Sequence, residues 1–228
     1  MANKNEIIKK LQTAARPDQL EGMARFGISI NKRLGVSVPE LRKIAKEFGK
    51  DHELALQLWE TGIPEAKIIA ILIDEVDKLT NKQMEDWVLE IDSWDICDQL
   101  CSNLFEKAPN VMEKIYEWAE REEEYVKRAA FVIIACMAVH NKKAEDKIFI
   151  DFFPLLFKGA VDERNFVKKA VNWAIRSIGK KNLNLNKLAI KLSEEIKQID
   201  SKAARWIAQD AIRELESEAV QKRLAKNK

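Results

Sequence analysis

Helix start and stop signals punctuate this chain from end to end, and between them apolar residues recur with the 3.6-residue period of an amphipathic helix. Ser37 precedes Val38 and Pro39 and opens a segment that Gly49 ends. Asp51 opens the next, which stops near Gly62, and Pro64 suits a first-turn position where its missing N–H would have had no partner. Thr80 and Gln83 have the spacing of a capping box, and further starts are expected at Ser93, Pro109, Asp162 and Asp200. About twelve or thirteen helices joined by short loops follow from these signals. With only 7 Gly and 5 Pro, the turns of a many-stranded sandwich or barrel are lacking, while 46% apolar residues suffice for a core. The expected fold class is all-α.

The helices repeat. YVKRAAFVIIA from Tyr125 aligns with FVKKAVNWAIR from Phe166, which aligns in turn with SKAARWIAQDAIR from Ser201 and sets Trp206 opposite Trp173; KIIAILID from Lys67 is a fainter copy. Unevenly spaced copies of this kind point to an α-solenoid of HEAT-like antiparallel helix pairs, with residues 1–228 as a single domain. A solenoid presents one helix of each pair on a concave face, so equivalent positions line up. Lys127 and Arg128 align with Lys168 and Lys169, and Arg176, Lys180 and Lys181 extend the basic character. Such a stripe is the footprint of a phosphate backbone, and it also reads as helix-end cations in solvent. The net charge does not decide between them, since 39 Lys and Arg stand against 37 Asp and Glu.

Several classes of chemistry are poorly served. Cys97, Cys101 and Cys136 cannot form a closed set of bridges, and the first two read as core positions on one helix face. Together with an N-terminus lacking an apolar signal region, this fits a cytoplasmic protein. The longest apolar stretch, Ala129 to Val139, is too short to span a membrane. His52 and His140 have no ligand spacing, and CxxC, HExxH, GxSxG and Gly-rich phosphate loops are missing, so no metal or organic cofactor is expected. His140 ends an apolar helix.

IDSWDICDQLC, from Ile91 to Cys101, is the densest unusual segment. Trp94 and Asp98 are four residues apart on one helix face, and Ile96 and Leu100 turn elsewhere. A helix N-terminus favours ionised carboxylates, so an aromatic face stands beside a negative charge, an arrangement suited to a cation. On pattern alone, Asp92 and Asp95 equally read as helix-end acids and Trp94 as a core anchor. Trp173 reads as a buried aromatic or as a second exposed face. Trp59, Trp87, Trp118 and Trp206 have regular apolar neighbours and are assigned to the core.

The chain resembles the HEAT-like-repeat DNA alkylation-repair glycosylases, the AlkD family. The resemblance rests on GMARFGI from Gly22, LGVSVPELRKIAKE from Leu34, SWDICD from Ser93, VKRAA from Val126 and KKAVNWAIR from Lys168, in the family's order. It implies that Trp94, Asp98 and Trp173 occupy catalytic positions and Arg128 a DNA-backbone-contacting one. Lys127, Lys168, Lys169 and Arg176 are candidate DNA-binding residues beside it, as is Phe26. Two positions depart from the family: Ser93 stands where an additional tryptophan is common, and Phe26 where a tyrosine is common, which removes a hydroxyl but keeps a ring.

What the resemblance implies is excision of cationic N3- or N7-alkylated purines, such as 3-methyladenine and 7-methylguanine, from duplex DNA without swinging the base into a pocket. With no lysine beside the motif as a Schiff-base nucleophile, hydrolysis without strand cleavage is expected, by a monomer that uses no metal. The alternatives are a HEAT-repeat protein that binds DNA without excising bases, and a protein scaffold.

Overall fold

A computed structural model describes residues 3–226, which form helices and connecting turns with no strand among the described residues. They group into two compact units, one ending at Asn110 and one beginning at Val111. The first contains α1 (Lys4–Thr13), α2 (Leu20–Arg25), α3 (Val38–Phe48), α4 (His52–Trp59), α5 (Pro64–Ile73), α6 (Asn81–Leu89) and α7 (Trp94–Asn103). The second contains α8 (Val111–Ala119), α9 (Glu124–His140), α10 (Asp146–Ile150), α11 (Phe153–Gly159), α12 (Asn165–Gly179), α13 (Leu183–Lys197), α14 (Lys202–Leu215) and α15 (Glu218–Lys226).

In the first unit α5 is the buried centre, packed by α3, α4 and α7. The starts at Ser37, Asp51 and Pro64 are as the sequence reads, and the Asp51 carboxylate caps α4 by accepting the Leu54 N–H at 3.0 Å. The capping box is only half made. Thr80 accepts the Gln83 N–H, but the Gln83 side chain donates to Asp74 at 2.6 Å instead of returning to Thr80. Asp74 is fully buried, and a buried carboxylate without donors costs far more than an exposed backbone N–H that water can serve. Trp59 and Trp87 are core residues, stacked with centroids 4.0 Å apart.

In the second unit the sequence repeats become neighbouring helices, α9 against α12 and α12 against α14. Equivalent positions are buried together: Ala129, Ala170 and Ala203, then Ile133, Ala174 and Ile207, then Met137, Ile178 and Ala211. Tyr125 and Phe166, also equivalent, stack at 5.9 Å. α8 starts at Val111, two residues after Pro109. Two acids mark their helices early. Asp162 accepts the backbone N–H and the guanidinium of Arg164, so α12 starts at Asn165, and Ser201 rather than Asp200 caps α14.

Trp206 corrects the core assignment. It is 39% exposed, with the Lys168 ammonium 5.5 Å from its ring centroid, whereas Trp118 is fully buried. The buried face of α14 is filled by Ala203, Ala204, Ile207, Ala208 and Ala211, and Trp206 lies at its edge. The three cysteines are buried and in no disulfide, and no helix of the described residues is long and apolar enough to cross a membrane.

Candidate functional site

α7 has two faces, divided as its spacing predicts. Ile96, Cys97, Leu100 and Cys101 are buried, whereas Trp94, Asp95, Asp98 and Gln99 are half-buried and line a cavity of about 330 Å³ in the first unit. Ile28, Val36 and Ile68 contribute its apolar wall. Asp98 sits one turn inside the helix, and its backbone carbonyl accepts the Ser102 hydroxyl at 2.7 Å.

The segment that follows α2 and the start of α7 are tied together by polar bonds. Trp94 is held by its indole N–H, which donates to the Phe26 carbonyl at 3.0 Å, while the Phe26 ring is 76% exposed. Ser93 precedes α7 but does not cap it with its side chain. Its hydroxyl donates to Asp95 at 2.5 Å and accepts the Ser29 N–H at 3.1 Å, and the Ser29 hydroxyl donates to Asp92 at 2.8 Å. Asp95 is more than a helix-end acid. Arg33 clamps it through both terminal nitrogens, at 2.8 and 3.1 Å, and donates its Nε–H to the Ser29 carbonyl at 2.7 Å. Both side chains of this pair are largely buried, so the charge of Asp95 is answered inside the protein.

Trp173 belongs to the second unit. It is half-buried on α12 and lines a separate cavity of about 510 Å³ with Ser177, Lys142, Lys180, Lys181 and Arg223. Arg128 is buried, 5% exposed, and its Nη1 donates to the Phe166 carbonyl at 2.6 Å. The aligned Lys169 is exposed instead, so the recurring basic position does not have one recurring environment. Lys127 lies 3.7 Å from Asp162, and Lys168 lies over Trp206. Arg176 pairs with Glu214, which also accepts Lys180 at 2.5 Å. Burial works to raise the Glu214 carboxyl, but the Lys180 hydrogen bond and the two positive charges hold it below the usual range.

A family profile described as DNA alkylation repair enzyme matches residues 7–215. The chain belongs to that family. Among the proteins similar to this DNA alkylation repair family member is an uncharacterized protein of Listeria innocua, Lin0241. It is 20% identical over 214 residues, which cover 86% of this chain and 95% of that protein. A solved structure with a TM-score of 0.79 covers 98% of this chain and is itself covered over 96%, at 14% identity. It is described as representing a new family of proteins related to the HEAT-like repeat DNA glycosylases with affinity for branched DNA structures. The likeness establishes the HEAT-like-repeat fold that the sequence repeats predict.

Three residues of the DNA alkylation repair family member position the first cavity without a periodic signal in the sequence. Arg33 and Ser29 lie in the loop before α3, where no hydrophobic pattern flags them. Glu65 sits in the first turn of α5 among apolar residues and reads as an ordinary helix-start acid. It is fully buried, and its carboxylate accepts the backbone N–H groups of Leu34, Gly35 and Val36 at 2.7–3.3 Å.

Proposed function

We propose that the protein binds duplex DNA as a monomer and hydrolyses the N-glycosidic bond of cationic N3- or N7-alkylated purines, releasing the base and leaving an abasic site. The observation that carries this reading is the half-buried face of α7, where Trp94 and Asp98 line one cavity. Alkylation at N3 or N7 makes the purine a cation, and departure of the base develops positive charge on the sugar. Asp98 stabilises that charge and orients a water molecule toward C1′, a preorganised electrostatic contribution of about 3 kcal/mol. The base leaves neutral, so it needs no acid.

Trp94 and Trp173 are the aromatic faces assigned to the DNA. A cation over such a ring gains about 0.5–2 kcal/mol, more as water is excluded. The hydrogen bond from Trp94 to the Phe26 carbonyl fixes the first of these rings. Phe26, with its ring in solvent, is placed to stack on DNA without a hydroxyl.

The test is base release from matched duplex oligonucleotides. 7-Methylguanine and 3-methyladenine are released, while uracil, hypoxanthine and 8-oxoguanine stay, because their uncharged leaving groups need acid assistance that an attraction to positive charge does not supply. Efficient excision of uracil or hypoxanthine would overturn the mechanism, and DNA binding with no release of any base would leave a binding protein without glycosylase activity.

Among the lysines, Lys168 and Lys169 are assigned to the DNA backbone ahead of Lys127, whose charge already faces Asp162; Arg128 is assigned to it on the family resemblance. Arg128, held by the Phe166 carbonyl, acts as a fixed donor to one phosphate. Arg128→Ala therefore weakens binding to all sequences and lowers the salt slope by about one counterion. Titrations at several salt concentrations that give an unchanged slope and affinity would remove Arg128 from the interface.

A further inference from the structure

We infer that the cavity beside Trp173 holds the phosphates flanking the nucleotide that Trp173 meets, with Lys142, Lys181 and Arg223 as its cationic lining. This rests on the reading in which Trp173 faces the damaged strand. The three cations come from separate elements: Lys142 from the α9–α10 loop, Lys181 from the turn after α12, and Arg223 from α15. Ala138, Val139 and Trp173 form the apolar side of the same cavity. An aromatic wall facing a cationic wall matches a nucleotide in a strand, whose sugar and base are apolar or aromatic and whose phosphates are anionic.

The bonding of these cations leaves their charge available to an anion. Lys180 differs, because Glu214 answers it. Lys181 donates to the Asn141 carbonyl at 2.6 Å and lies 5.0 Å from the Phe149 ring centroid, and Arg223 donates to the Lys180 carbonyl at 2.8 Å. A neutral carbonyl orients a cation without cancelling its charge. The carboxylate that acts on Lys181 from a distance is Asp146, which accepts the side-chain amides of Asn182 and Asn184. Burial lowers the Lys181 ammonium below the usual lysine value despite Asp146, a cost that a phosphate in the cavity would offset. Arg223 lies beyond residues 7–215, so a helix outside the family-matched region completes the cavity.

The test couples a protein change to a change in the DNA. A duplex carrying a tetrahydrofuran abasic analogue is prepared with native phosphates, or with neutral methylphosphonates on either side of the analogue, and bound to wild type and to Lys142→Ala/Arg223→Ala. Both substituted residues are exposed, so the variant keeps its melting temperature. Neutral linkages weaken wild type about tenfold, the variant binds the native duplex about tenfold more weakly than wild type, and combining the two changes brings no further loss. Losses that multiply to about a hundredfold would place those phosphates elsewhere and overturn the inference. Inorganic phosphate at millimolar concentration competes for wild type and not for the variant; equal competition would also overturn it. Because the DNA carries no base to release, the coupling survives even if methylated duplex shows no excision, which would sink only the glycosylase reading.

Discussion

Asp98→Asn is expected to leave the fold and DNA affinity almost unchanged while slowing release of 7-methylguanine by about 10²-fold or more, the scale seen when one preorganised electrostatic group is lost. The substitution keeps the size of the side chain at the cavity and removes its charge, so the loss appears in single-turnover excision and not in binding of undamaged duplex. Asp95→Asn is the internal comparison, since Asp95 lies one helical turn away on the same cavity. Its carboxylate is already engaged by both Nη groups of Arg33 and by Ser93. Neutralising it strands the largely buried guanidinium of Arg33, and the expected cost is about 3 kcal/mol of stability. The excision rate per folded molecule remains within about threefold of wild type, far from the Asp98→Asn loss. Full activity in Asp98→Asn, or an equal loss per folded molecule in Asp95→Asn, would show that the wrong carboxylate has been assigned.

The division of α7 into two faces was legible because one helix carries both, and a 3.6-residue period sorts Trp94 and Asp98 away from Ile96 and Leu100 without reference to other elements. The same holds for α9, α12 and α14, where small and branched apolar residues recur in register and the buried positions coincide. Legibility failed where tertiary partners override a local pattern. The spacing of Thr80 and Gln83 predicts a reciprocal cap, but the buried Asp74 carboxylate takes the Gln83 amide. Alignment of Lys127 and Arg128 with Lys168 and Lys169 predicts a uniform stripe. Asp162, the Phe166 carbonyl and Trp206 instead give three of these side chains different surroundings. Loop residues carry no periodicity, so the ties from Ser29 and Arg33 to the start of α7 become visible only once the chain is folded.

Glu65→Ala is expected to be the most destabilising single change near the first cavity, lowering the free energy of unfolding by about 3–5 kcal/mol. The carboxylate is fully buried and is satisfied by three successive backbone N–H groups, those of Leu34, Gly35 and Val36, a concave nest of donors that holds an anion without any cationic side chain. Its place in the first turn of α5 adds the favourable end of a helix dipole. Gly35 is required in this nest, since its φ is +81° and a Cβ would lie 2.2 Å from the Arg16 carbonyl oxygen. The loop thus has a closely packed backbone whose donors converge on one side chain. Removing that side chain leaves buried N–H groups at about 1–3 kcal/mol each, partly relieved by any water that enters. Glu65→Gln, which keeps one acceptor and loses the charge, falls between, at about 1.5–3 kcal/mol. Urea unfolding followed by circular dichroism gives both values, and a loss below about 1 kcal/mol for Glu65→Ala would show that the loop is held by other contacts. Val36, the last residue of the nest, and Ser37 and Val38 directly after it line the Trp94–Asp98 cavity, so loosening the nest widens the site. At temperatures where Glu65→Ala is still folded, excision therefore slows even though Glu65 touches no DNA, and Glu65→Gln restores part of that rate in step with its recovered stability.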